Sequence, residues 1–476
     1  MAAKLGARQI EELIASCLAF TPTFEQTELI KCLTAFILDF RSEVGFVLQG
    51  YAGTGKTSVV GALVKALPQL NINTVLLAPT GRAAKVLSAY SGQPAYTIHK
   101  QIYYTGQDQE GRMQTSLRSN RSRNTLYIVD EASMIGQENS LLFDFFSYVQ
   151  AGYRCRVLLL GDTAQLPPVG SDYSPALDID YLRSCFPLDF RGFCLQEVIR
   201  QGKGSLVLEN ATALRQKTAK EEVSLPLFNL HYPQTVPDLE RIGGEELEEC
   251  LQNEYAKRER EDIVFITRSN KRANMFNNEI RARIFGCEGE LSAGDLLMIL
   301  KNNYFWIPKE SDIGFLANGD TMEVLKVKRR EERYGFRFAD IEARLVDYPE
   351  QPPVEVKVLL DALDAPEASL PHAQMRSLYE AVMQDYAHIP LKSKRLQAVK
   401  EDPFFNALQV KYAYALTCHK TQGGQWPCVF VEQGYFTEDM LDTEYLRWLY
   451  TALTRTTRKT YLLNFSDKFF EDERFG

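Results

Sequence analysis

Short, unbroken apolar runs punctuate the first half of the chain. Each ends in a polar or glycine-rich turn, and most lead into a helical pattern: GFVLQ (45–49), NTVLLA (73–78), TLYIVD (125–130) and RVLLLG (156–161). Continuous rather than alternating apolarity marks strands buried on both faces of a parallel sheet. The habit returns in DIVFITRSNKRANMFNNEI (262–280), YALTCHKTQ (414–422) and KTYLLNF (459–465), which predicts a second α/β unit built from separated pieces. Between them, roughly 300–405 alternates apolar and polar positions with turn signals, as short antiparallel strands do. A mixed-charge helical stretch follows at 372–400, and the acidic stretch 238–262 reads as a solvated helix face. The fold class is α/β, in which ligands gather at the carboxyl ends of the strands.

Composition narrows the class. A chain of 476 residues is too long for one ordinary domain, and a prior of roughly 150 residues per domain suggests about three. With 45% apolar and 24% charged residues it has the makeup of a globular protein. No apolar run reaches the ~18 residues of a membrane span. The N-terminus, MAAKLGARQIEELIASCLAF, patterns as an amphipathic helix and lacks the basic start and cleavage site of a signal peptide. Nine cysteines with no C-x-x-C pair read as reduced, packed thiols of a cytoplasmic protein. A net charge of −8 excludes a generally basic nucleic-acid coat and leaves room for a local basic groove.

The loops after the strands carry the chemistry. GYAGTGKT (50–57) fits G-x-x-x-x-G-K-[ST], between a buried strand and the helical pattern SVVGALVKAL. Gly50, Gly53, Thr54, Gly55 and Ser58 belong to a loop whose backbone amides wrap phosphate oxygens. Lys56 reaches the terminal phosphates, and Thr57 is a ligand for Mg²⁺. A glycine turn without a ligand is the bland alternative, and the flanking strand and helix argue against it. IVDEAS (128–133) places Asp130 at a strand end to hold Mg²⁺, and Glu131 beside it to polarise an attacking water. LLLGDTAQLPPVG (158–170) brings Asp162 and Gln165 to the next strand end, where a glutamine amide can bond both a γ-phosphate and the lytic water. A proline-stiffened turn with a solvated glutamine is the alternative there.

Together these motifs resemble those of the superfamily 1 helicases, most closely the RecD-like and Dda-like group (B-type), over most of the chain. The resemblance implies that Gln26, in TPTFEQTELI, contacts adenine. LLAPTGRAAKVL (76–87) and TIHK (97–100) look like the single-strand-contacting motifs, giving Thr80, Arg82, Lys85, Thr97 and His99 as DNA-facing residues. LQEVIRQ (195–201) and YTALTRTTRK (450–459) are similar to motifs whose arginines, here Arg200 and Arg455, reach the γ-phosphate. Such cations answer a physical need, since arginine fingers are worth ~10³–10⁵ in rate in related NTPases. YALTCHKTQGGQWPCVFVE (414–432) matches the penultimate motif. There Gln422 and Gly423 fall on the nucleotide side, and Thr417, His419 and Thr421 face DNA. Lys420 can face either.

The resemblance further implies ATP and Mg²⁺ as cofactors, single-stranded DNA and single-strand/duplex junctions as partners, a monomer, and 5′→3′ movement. It implies two RecA-like domains, 1–190 and 191–300 with 405–476. A β-hairpin pin is inserted at about 101–124, and an SH3-like insertion spans 301–404, beginning near LANGDTMEV (316–324). GRMQTSLRSNRSRNT (111–125) supplies Arg112, Arg118, Arg121 and Arg123 where the pin belongs. Two departures stand out. Gly424 occupies a position where many members carry Ser or Thr, and the chain has no room for the N-terminal accessory domain of longer members.

Two other features read as packing. Cys418, His419 and Cys428 fit no zinc spacing, and Trp306 reads as a core aromatic. Competing functions are a DNA-stimulated translocase or remodeller with little unwinding, and a non-catalytic DNA-binding subunit of a nuclease complex. The full set of Glu131, Gln165 and both arginines argues against the latter. A P-loop kinase or GTPase leaves the second half of the chain unexplained.

Overall fold

The computed structural model describes residues 5–470, apart from positions 40, 42, 108–112, 137–139, 199–204, 231–236, 309–310, 312 and 366–368, and the side chains of 104–107, 113–115 and 364. The chain opens with strands β1 (Val44–Gly50), β2 (Asn73–Ala78) and β3 (Ala95–Thr97), then a hairpin, β4 (Tyr103–Gln107) and β5 (Met113–Leu117). Strands β6 (Thr125–Val129), β7 (Arg156–Gly161) and β8 (Asp189–Leu195) follow. All but the hairpin join one parallel sheet in the order β3-β2-β6-β7-β1-β8. One apolar layer, including Leu33, Val60 and Leu126, covers one face, and another, including Phe145, Leu159 and Phe190, covers the other.

The second half adds β9 (Leu239–Ile242), β10 (Ile263–Thr267), β11 (Leu296–Ile299), β12 (Thr321–Arg333), β13 (Phe336–Leu345), β14 (Val354–Leu359), β15 (Leu408–Tyr412), β16 (Ala415–Thr417), β17 (Trp426–Glu432) and β18 (Thr456–Leu463). A second parallel sheet runs β16-β10-β17-β18-β9, and β11 to β15 close into a small barrel. Four barrel pairings are antiparallel or adjacent hairpins, and a parallel pairing of β14 with β15 closes it. The barrel is spliced between β10 and β16, with only Ala413 and Tyr414 between β15 and β16. One continuous core joins barrel and sheet, from Val264 and Phe430 to Val324 and Val356.

Several expectations change in detail. The acidic stretch 238–262 is not all helix: Leu239–Ile242 is an edge strand, and only Leu247–Tyr255 is an α-helix. The hairpin pairs Tyr103 with Leu117 and Gln107 with Met113. Arg118, Arg121 and Arg123 are exposed beyond its second strand, toward β6, and Arg112 lies outside the described residues. The positive charge that is described therefore sits at the base of the hairpin. Trp306 is half-buried against the core, its indole donating to the Asn406 carbonyl at 2.8 Å. No helix among the described residues is long and apolar enough to cross a membrane.

Candidate nucleotide cleft and nucleic-acid face

The strand ends of β1, β6 and β7 converge where the sequence places its phosphate loop and acids. Gly53 and Gly55 have φ of +80° and +83°, a region that suits residues without a Cβ. Gly55 caps helix Lys56–Ala66, so the loop's amides lead into a helix N-terminus. Lys56 Nζ donates to the carbonyls of Gly50 and Tyr51. Thr54 is fully buried and bonds to Tyr51 O. Gln26, at the third position of helix Phe24–Leu38, is locked by a capping box with Thr23, and its Nε2 donates to Thr54 O at 3.3 Å. Both ends of that amide are thus engaged within the protein, although the residue lines the cleft.

A cavity of about 400 Å³ lies between the two sheets. From the first come Lys56, Thr57, Ser58, Asp130, Glu131 and Gln165; from the second come Gly423, Gly424 and Arg455. Arg455 is 3% exposed, and its guanidinium is oriented by Thr451 O, Gly424 O and Thr454 Oγ1. Burial pushes the Asp130 and Glu131 carboxyls up. Lys56 opposes this at Asp130, after the Glu131 N–H; Arg455 is the largest opposing charge at Glu131. Glu131 holds a left-handed backbone, φ +52°, and its Oε2 has no hydrogen-bond partner among the described residues. Gln165 Oε1 is likewise buried without one. Strain and orphaned acceptors concentrated in one cleft are marks of a site shaped for something other than its own stability. The residues fit a nucleotide triphosphate with its cation: positive-φ glycines, a lysine, a hydroxyl and a carboxylate at one end, and unsatisfied acceptors at the other. Arg200 lies outside the described residues.

The residues expected to face DNA are less uniform. Thr80 and Thr97 cap the helices Gly81–Ser91 and Ile98–Ile102, accepting from Ala83 N and Lys100 N at 3.2 Å each. His99 and His419 are half-buried, and burial lowers the pKa of both. Thr417 is half-buried at the end of β16. Thr421 departs from expectation: it is fully buried, and its hydroxyl donates to Cys418 O at 2.7 Å, so it faces the interior. Lys85 is turned onto the barrel, donating to Val346 O at 3.0 Å with Asp347 Oδ1 3.8 Å away. Lys420 also faces the barrel, bonding Asn318 Oδ1 at 3.0 Å, and does not line the cleft. Cys418 and Cys428 are buried among apolar neighbours, and burial pushes both thiols up to about 12.

Gly424 now has a physical reason. A Cβ there would fall 2.5 Å from the Trp426 ring and 3.1 Å from Arg82 Cδ. The Arg82 guanidinium lies 3.9 Å from the centroid of that ring. The indole fills the space a Ser or Thr side chain would need.

Sequence reasoning missed Tyr450, Thr451 and Trp426. Tyr450 Oη accepts from Ala52 N at 2.9 Å and donates to Asp162 Oδ2 at 2.6 Å. Thr451 Oγ1 accepts from Leu166 N at 2.9 Å, and Gln422 Nε2 donates to Leu166 O at 2.7 Å. The only available signal concerned Thr451, which lies four positions before Arg455 in the last turn of the helix Thr443–Leu453.

Comparison with known proteins adds two matches to family models, an AAA domain over residues 37–225 and a UvrD-like helicase C-terminal domain over 412–463. The ATP-dependent RecD2 DNA helicase of Deinococcus radiodurans is 38% identical over 126 residues, 26% of this chain and 16% of that protein. An uncharacterized protein of Methanocaldococcus jannaschii is 24% identical over 464 residues, 89% of this chain and 37% of its own. The ATP-dependent DNA helicase dda of Enterobacteria phage T4 is 25% identical over 260 residues, 53% of this chain and 55% of its own. The chain thus spans between 16% and 55% of these relatives' lengths.

Proposed function

We propose that this chain, which belongs to the superfamily 1 helicases of the RecD-like and Dda-like group, is an ATP-driven 5′→3′ DNA helicase. On this reading it moves along single-stranded DNA and separates duplex. The observation that carries the proposal is the cavity between the sheets, where Lys56, Glu131 and Gln165 from one face Arg455 from the other. The two sheets are read as the cores of two RecA-like domains, the barrel as an SH3-like insertion, and the β4–β5 hairpin as a pin.

Bound ATP–Mg²⁺ supplies the scissile phosphoryl bond and the cation that neutralises its charge. The phosphate-loop amides and Lys56 hold the phosphates, and Thr57 with Asp130 hold the cation. Gln26 packs against the base. Glu131 takes the proton of the attacking water at its unpartnered Oε2, and Gln165 orients that water. Arg455 meets the charge that develops on the γ-phosphoryl group, and Arg200, from the motif LQEVIRQ, is proposed as a second such cation. Because these groups come from both sheets, the fit of the cleft depends on nucleotide state, and hydrolysis biases closure. DNA runs past Thr80, Arg82, Thr97 and His99 on one side and Thr417 and His419 on the other. The alternative, a remodelling translocase, uses the same cleft.

Steady-state ATPase assays with and without single-stranded DNA, followed by unwinding of 5′- and 3′-tailed duplexes, test the proposal. We expect strong stimulation by DNA, unwinding from the 5′ tail, and loss of hydrolysis with retained DNA binding in Lys56→Ala. Absence of stimulation overturns the motor. Preference for the 3′ tail overturns the polarity, and stimulated hydrolysis without strand separation favours the translocase.

A further inference from the structure

We infer that Tyr450 is a positioning residue that transmits the state of the phosphate loop to the Asp162–Leu166 loop, and so sets Gln165. The inference rests on the reading of the cleft as an ATP site.

Tyr450 is 2% exposed and sits on helix Thr443–Leu453, which belongs to the second sheet. Its hydroxyl nevertheless touches two loops of the first. One is the phosphate loop, through Ala52 N–H; the other is the loop after β7, through Asp162 Oδ2. A phenol has one proton to give, and a carboxylate can only accept it. The bonds therefore run in one direction, from the Ala52 amide to the Tyr450 hydroxyl to the Asp162 carboxylate. The second bond is charge-assisted, and a chain of this kind polarises along its length.

Asp162 is 1% exposed, and its other oxygen accepts from Ala164 N at 2.9 Å. That bond folds the loop leading to Gln165. At the far side of Gln165, the Leu166 peptide is gripped at both polar atoms, by Thr451 Oγ1 and Gln422 Nε2. Gln165 is thus suspended between Asp162 and Leu166, each held by side chains of the second sheet. Among the described residues, the Asp162 side leads onward to the phosphate loop through Tyr450. A rotation of the Ala52 peptide moves the acceptor it bonds to, then Asp162, then the turn that aims Gln165. The same hydroxyl lies five positions before Arg455 in the chain. The loop that reads the phosphates and the helix that leads into the turn carrying Arg455 are therefore joined through one oxygen atom.

Hydrogen exchange read by mass spectrometry, with and without a non-hydrolysable ATP analogue and Mg²⁺, tests this in wild type and Tyr450→Phe. In wild type the analogue should slow exchange in both 50–58 and 162–166. In Tyr450→Phe the slowing at 50–58 should persist while that at 162–166 is lost. The KM for ATP should stay within about twofold and the DNA-stimulated kcat should fall about tenfold, the split expected when aim rather than binding is lost. Undiminished slowing at 162–166 in Tyr450→Phe overturns the inference and leaves the ATP site standing. Equal loosening of both segments without nucleotide, with no change in their response, also overturns it, since that is the signature of packing alone. No slowing at 50–58 in wild type overturns the ATP-site reading and the inference with it. Asp162→Asn serves if Tyr450→Phe does not fold; it keeps an acceptor but removes the charge, and should weaken the response at 162–166 while sparing 50–58.

Discussion

Asp320 and Glu131 are both buried carboxylates with one oxygen lacking a hydrogen-bond partner among the described residues, yet they sit in different settings. Glu131 lies in the cleft within reach of Arg455's charge. Asp320, just before β12, presses Oδ1 against Gly81 at the start of the helix that carries Arg82 and Lys85. Burial raises the Asp320 carboxyl to about 7; the Ala317 N–H opposes the rise and Asp347 adds to it. Its folded value lies above the unfolded one, so between about pH 4 and 7 the folded chain keeps a proton that the unfolded chain has released. Asp320's contribution to stability is greatest below that window, falls as pH climbs through it, and levels off above about 7. Asp320→Asn should flatten the profile. Denaturation midpoints at pH 5 and pH 8 should differ less in the variant than in wild type, with the variant the more stable at pH 8. An unchanged pH profile would remove Asp320 as the cause.

At the scale of elements, the loop between β16 and β17 shows how packing decides an unusual residue. Gly424, Trp426 and Arg82 form one stack across the two sheets. Gly424→Ser should destabilise by about 1–3 kcal/mol, as overpacking does. Pairing it with Trp426→Leu should recover part of that loss, a non-additivity that denaturation of the two single variants and the double variant measures. If the two effects simply add, the stack is not the reason for glycine. The hairpin permits a separate test. Replacing 108–112, which join β4 to β5, with Gly-Ser should lower strand separation per ATP hydrolysed and leave DNA-stimulated hydrolysis in place. Unchanged unwinding removes the pin.

Elements also differ in how far the sequence revealed them. Runs such as TLYIV and RVLLLG announce buried central strands because both faces are apolar. β8 was hidden because it is an edge strand with alternating exposure, Asp189 outward and Phe190 inward. β3 is three residues long, too short for any period to register. β9, LERI, is masked by the acids that follow it.

Across the whole molecule, the cleft's residues were legible because each belongs to a local pattern with its own chemistry: a glycine loop, a pair of acids at a strand end, an arginine in the turn that ends a helix. Tyr450 was not, because its meaning lies in contacts with Ala52 and Asp162, hundreds of positions away. Lys85 and Lys420 were legible as cations but not as the barrel's neighbours, since the barrel's position is a property of the assembled chain. The barrel is inserted into the second sheet, so its entry strand β11 and exit strand β15 lie side by side. Any motion of that sheet carries the barrel with it.

The pairing of β9 with β18 has a consequence for the order in which the chain folds. Leu239–Ile242 aligns with Thr460–Leu463, so the edge of the second sheet waits for the last strand of the chain. All strands of the first sheet, by contrast, are present by Leu195. During synthesis the first sheet can therefore close while β9 still waits for its partner. Non-local parallel pairings of this kind form slowly, because loop closure precedes any reward from contacts. An unfinished second sheet would expose the apolar strands β10 and β17 for that interval, and unpaired apolar strands are prone to aggregate. Loss of the chain beyond Arg455 would make that interval permanent.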